Sequence, residues 1–150
     1  MTGNGGGKLV FTPRPAPVSP RLRPALRVAQ LLEMVDKCRG HRATLLQLHA
    51  LDTALVDPDA RRRLAGDEQA AITFSVVRVD PALNRAVDRA IGDGLLELRS
   101  DATVKLTSPG RSALAAVRDA EILQAERAAL AEIHGKLTQR QVRLATGVTH

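Results

Sequence analysis

Three groups of residues in this chain have types that could do chemistry. The first is GNGGGK at residues 3–8, where glycine amides followed by a lysine invite a phosphate-loop reading. That motif needs a glycine where Thr2 stands and Ser or Thr where Leu9 stands, between a strand and a helix, so a flexible arm is the better reading. The second is Cys38, His41 and His49. A structural zinc site needs four converging ligands, and no fourth Cys or His lies near them in sequence. Cys38 is expected to be a buried structural thiol, and His49 a helix-surface or satisfied core histidine. The third is Asp52, Asp57 and Asp59, of which Asp57 reads as a helix cap and the others as solvated surface. Nucleophilic catalysis requires Ser, Thr or Cys beside a positioned base. No such constellation is evident, so the expectation is a non-enzymatic chain with no catalytic residues, no cofactor and no metal.

The elements that would carry any function are helical. Apolar residues are 44% of 150, but they are mostly Leu, Ala and Val, with Phe11 and Phe74 the only aromatics. Such a core is built by packing helices. The lack of aromatic faces argues against single-stranded nucleic acid, whose bases need rings to stack on. A single cysteine rules out an internal disulfide and suggests a reducing compartment. No signal-peptide or membrane-spanning run is visible, so a cytoplasmic protein without membrane contact is expected.

Residues 1–19 read as a flexible Gly/Pro-rich basic arm, in which Leu9 to Phe11 could add as a strand to a partner's sheet. Ser19 with Pro20, or Arg23 with Pro24, opens a first helix with Val28, Leu31, Leu32, Val35 and Cys38 at helical spacing. A second helix over about 42–56 carries Leu45, Leu48, Leu51 and Leu55 on one stripe. Asp57 then caps a short helix ending in three arginines. Residues 72–79, ITFSVVRV, are β-branched enough for a strand or an extended lead-in. Asp80 and Pro81 start a helix with Leu83, Val87, Ala90 and Ile91 inward, and Asn84, Arg85, Asp88 and Arg89 outward. LLELR and TVKLT then form a hairpin. A long helix is expected from Pro109 to His134. Its Leu123, Leu130 and Leu137 are seven apart, but the polar Arg127 and His134 argue against a free coiled coil. Thr138 and Gln141 have capping-box spacing for a last short helix.

Helix, glycine stop, two-strand hairpin and helix over residues 80–112 is the core order of a winged helix. The fold class expected is therefore mainly α: a winged-helix domain over 20–135 with a β-hairpin wing and flanking helices, followed by a short helix and tail over 136–150. The segment that would read DNA is neutral. Residues 80–112 hold five basic and five acidic side chains, although the whole chain carries +6. Basicity sits in residues 1–40, with seven Lys and Arg against two acids. Asn84, Arg85, Arg89 and Lys105 are candidates for base or partner contact. Arg14, Arg21, Arg23 and Arg27, with a second cluster of Arg61, Arg62 and Arg63, are candidates for salt-dependent contact with phosphate backbones.

PALRVAQLL at 24–32, LLQLHALDTAL at 45–55, VVRVDPALNRAVDRAIGDGLLE at 76–97 and VKLTSPG at 104–110 together resemble the small middle components of bacterial three-component ABC-ATPase systems, such as Lamassu-type antiphage defence. The resemblance implies an adaptor subunit that docks on a large SMC-like ATPase and links it to an effector subunit near DNA, with ATP and cutting sites on other chains. The alternative is a stand-alone winged-helix regulator that dimerises through the 109–134 helix and reads an operator with Arg85 and Arg89.

Overall fold

The computed structural model describes residues 23–66 and 80–146. Helix α1 (Pro24–Lys37) lies in the middle of the described core, with Arg27 to Val35 buried without a break. Pro24 takes the first helical position, where its missing N–H costs nothing. Beyond Lys37 the chain leaves through Cys38 and a 3-10 turn, Arg39–His41, whose Gly40 has φ 75°. It then enters a two-residue strand, β1 (Arg42–Ala43).

Helix α2 (Leu45–Val56) opens on a capping box. Gln47 N–H donates to Thr44 Oγ1 at 3.1 Å, and Thr44 N–H donates to Gln47 Oε1 at 2.8 Å. Gln47 to Ala54 are buried in succession, the polar Gln47, His49, Asp52 and Thr53 included, while Leu45 of the expected stripe is exposed. Helix α3 (Pro58–Leu64) follows at once, with the Asp57 carboxylate accepting from Asp59 N–H at 2.9 Å. Helix α4 (Pro81–Gly92) starts likewise, with Asp80 accepting from Ala82 N–H at 2.9 Å. Its buried residues are Leu83, Ala86, Val87 and Ala90, the i, i+3, i+4, i+7 stripe of an amphipathic helix, while Ile91 is only half-buried.

Strands β2 (Leu96–Leu98) and β3 (Val104–Leu106) form an antiparallel hairpin in which Leu96 faces Leu106 and Leu98 faces Val104. β3 also pairs with β1, so the sheet order is β1-β3-β2. Helix α5 (Ser108–Asp119) is capped by Thr107, whose hydroxyl accepts from Gly110 N–H at 3.0 Å. Gly110 lies hard against the hairpin. A Cβ there would sit 2.1 Å from the Leu95 carbonyl oxygen, so only glycine fits without moving backbone.

The long helix expected over 109–134 is not formed. α5 stops at Asp119, Glu121 and Leu123 take left-handed φ of 58° and 63°, and a separate helix α6 (Gln124–Ala131) begins. Neither residue favours that conformation. The compensation is burial: the reversal brings Leu123, Leu130 and Ile133 onto the core, where one straight helix would carry them away from it. Arg127 Nη1 donates to the Ile122 carbonyl at 2.7 Å, satisfying an acceptor freed by the break.

In the segment expected as a short helix and tail over 136–150, Leu137, Val142 and Ala145 join the same core. Leu137 forms an isolated parallel bridge with Cys38, donating to Lys37 O and accepting from Arg39 N–H at 2.9 Å each. Thr138 and Gln141 make the expected capping box for helix α7 (Gln139–Thr146), and Val142 and Ala145 are buried. Among the described residues the architecture is mainly helical with one small antiparallel sheet, and no helix is long and apolar enough to cross a membrane.

Candidate functional site

Arg27 sits on the same i, i+4, i+8 line of α1 as Leu31 and Val35, a line that packs into the interior. Its guanidinium is therefore inside the protein. It grips Asp52 of α2 in a two-pronged pair at 2.7 and 3.0 Å, and reaches Asp80, the cap of α4, at 3.2 Å. Arg27 and Asp52 side chains are 4% and 5% exposed, so this pair is sealed from solvent. Two expectations change. Arg27 is not available for backbone phosphates, and Asp52 is not solvated surface.

Asp80 thus serves two purposes. One oxygen caps α4 and the other meets Arg27, which fixes where α4 begins relative to α1 and α2. On the outer face of α4, Asn84 Oδ1 lies 3.2 Å from His49 Nε2, which ties the amide to a buried histidine. Arg85 is exposed and has no ion-pair partner among the described residues. Arg89 is exposed, with Nε 3.8 Å from Asp93. Asp88 is exposed beside them. On the hairpin Lys105 is half-buried, with Glu97 of β2 across from it, and Leu98 stands 62% exposed.

Between the start of α1 and α4 lies a cavity of about 230 Å³. It is lined by Pro24, Val28, Ala82 and Ala86 together with Arg27, Arg85 and Arg89. The sequence brings Arg85 and Arg89 together because they are one helical turn apart.

Among the described residues the other cationic candidates do not form one patch. Arg23 is exposed at the N-cap of α1. Successive residues of a helix point about 100° apart, so Arg61, Arg62 and Arg63 diverge around α3. Arg61 folds back onto the end of α2, donating to Ala54 O at 2.8 Å and Leu55 O at 3.3 Å and pairing with Glu132 at 3.0 Å. It satisfies carbonyls that a helix end leaves open, which is not a solvated role. Arg62 is exposed and paired with Asp59, and Arg63 is half-buried. Arg14, Arg21, the Leu9–Phe11 element and the ITFSVVRV stretch lie outside the described residues.

A second charged centre was not foreseen. Glu33, on the side of α1 facing α5 and α6, is buried and takes Arg118 at 2.8 Å and Arg127 at 2.9 Å. Arg118 also reaches Asp36 at 2.9 Å, and Lys136 donates to the Asp36 carbonyl at 2.8 Å. Burial pushes the Asp36 carboxyl up, but the Arg118 hydrogen bond and the charges of Lys136, Arg118 and His41 outweigh it and hold its pKa below the ordinary value. The Glu33 hydrogen bond, opposed by desolvation and helped by Asp36, raises the Arg118 pKa. In the sequence Arg127 stands out only as a polar residue interrupting a heptad. No periodicity could have revealed this cluster, because Glu33 is more than eighty residues from either of its arginines.

The residues considered for metal chemistry are dispersed. Cys38 is fully buried, and that burial pushes its thiol pKa up to about 12, so it is not a nucleophile. His41 is exposed against Asp36, and His49 meets Asn84. Among the described residues no three His, Cys, Asp or Glu side chains are placed to hold a metal ion. Neither known protein families, curated proteins nor solved structures offer a match to this chain.

Proposed function

We propose that this chain is a winged-helix adaptor subunit that works by protein contacts. The sequence of helix, short strand, helices and hairpin, with sheet order β1-β3-β2, supports the winged-helix reading, with α4 as the helix that such a module presents to its target. One observation carries the functional reading, which is that the outer face of α4 has little positive charge to spend on phosphates. Asn84 is turned to His49, Arg89 has Asp93 beside it, and Asp88 is exposed between Arg85 and Arg89. DNA binding begins with phosphate neutralisation, and each acid here opposes it. The exposed Leu98 on the outer strand of the hairpin suits a protein neighbour better than a phosphate backbone.

The resemblance stated above supplies the partners: a large SMC-like ATPase subunit and an effector subunit, in bacterial antiphage defence, with DNA touched mainly through its backbone. The chain contributes no catalysis in this reading. For the alternative, a stand-alone regulator, the 109–134 segment expected to join two copies is two helices with left-handed residues at Glu121 and Leu123 between them. Affinity purification from the native host, followed by mass spectrometry, tests the proposal. The expected result is a stable complex with a large ATPase and weak, salt-sensitive binding to duplex DNA. A symmetric dimer that selects one DNA sequence, and loses that selectivity in Arg85→Ala/Arg89→Ala, would overturn it.

A further inference from the structure

We infer that the cavity between α1 and α4 accepts a carboxylate-bearing segment of a partner protein, an aspartate or glutamate flanked by aliphatic residues. The inference rests on the adaptor reading and names the chemistry of one contact within it. Two complementary features select this occupant. Arg85 and Arg89 present planar guanidinium forks whose geometry matches a carboxylate, and Arg85 has no competing acid among the described residues. Pro24, Val28, Ala82 and Ala86 line the same cavity with apolar surface, which stabilises a ligand carrying methyl groups beside its charge.

A phosphodiester backbone fits less well. It is strongly hydrated, gains nothing from the apolar walls, and runs on past the cavity over Asp88 and Asp93, which repel it. A single carboxylate held at Arg85 does not extend along the helix face that carries both acids. The volume of about 230 Å³ suits one or two side chains rather than a folded surface. Arg27 lines the cavity with both terminal guanidinium nitrogens held by Asp52, while its buried Nε donates to no partner among the described residues.

The test uses the full chain, labelled for NMR at arginine Nε–Hε and at Ala and Val methyls. N-acetyl-Leu-Glu-Leu amide is titrated to about 1 mM and beyond, the range in which a contact of this size binds. It should shift Arg85 and Arg89 together with the Val28, Ala82 and Ala86 methyls. The Leu-Gln-Leu peptide should bind at least about tenfold more weakly, as loss of a charge-assisted pair predicts. In Arg85→Gln/Arg89→Gln, both exposed positions, the response should vanish while circular dichroism and Tm stay unchanged. Equal responses to the Glu and Gln peptides, or no response, overturn the inference. So does a short DNA duplex that displaces the peptide, or inorganic phosphate that shifts the arginines as strongly while leaving the methyls unmoved. If this titration fails and the ATPase still co-purifies, the adaptor reading stands and only the cavity assignment falls.

Discussion

Helix α1 buries two ions of opposite sign, and the two are treated differently. Arg27 faces α2 and α4, and its principal partner Asp52 is as hidden as itself. Glu33 faces α5 and α6, but its partners Arg118 and Arg127 are 43% and 25% exposed, so water reaches the far side of that cluster. A sealed pair cannot relax when one member is lost, whereas a clamp whose arms are wet can turn outward. The first contact therefore fixes the relative position of three helices, and the second fastens an outer layer to them.

Three substitutions put that contrast to the test. Arg27→Met should cost the most, about 3–5 kcal/mol in urea unfolding, because it removes both guanidinium contacts to the buried Asp52 carboxylate. Pairing it with Asp52→Leu should recover most of the loss, since an apolar pair of similar volume replaces two buried charges. If the double variant is as unstable as the single one, the pair is not the unit of stability. Glu33→Gln should cost less, about 1–2 kcal/mol, because the amide oxygen still accepts and both arginines can hydrate. A loss as large as that of Arg27→Met would show that the outer cluster is sealed too.

Asp36→Asn should have the smallest effect at neutral pH, below about 1 kcal/mol for a partly exposed ion pair. Its pH dependence has a definite sign. The folded-state pKa lies below the ordinary 3.8, so the carboxylate's contribution is present above 3.8 and is lost as pH falls through the depressed folded value. The stabilities of Asp36→Asn and the parent protein should converge in that acid range, measured by denaturant unfolding at successive pH values. A difference that persists unchanged down to the lowest pH would contradict it.

Local signals in the sequence were readable wherever one residue satisfies a nearby backbone. The caps at Asp57, Asp80 and Thr138, the proline starts at Pro24 and Pro81, and the hairpin of residues 95–107 are all formed. What the sequence hid was decided by distant partners. Nothing local distinguishes Asp52 from a solvated acid until Arg27 arrives from another helix. The Ala-rich stretch after Ser108 contains no Gly or Pro at residues 119–124, so propensity favoured continuation. The turn prevailed because burying Leu123, Leu130 and Ile133 outweighs two left-handed backbones. At the candidate site, the pairing of Arg85 with Arg89 followed from helical spacing. The apolar cavity beside them did not, since it exists only once α1 and α4 are side by side.

The bridge from Leu137 to Cys38 has a consequence for biosynthesis. A ribosome delivers Cys38 roughly a hundred codons before the residue that covers it, and Val142 and Ala145 come later still. During elongation the nascent polypeptide keeps a face of its innermost helix wet and a thiol open to oxidants or chaperones. Only emergence of α7 completes the cover over that face.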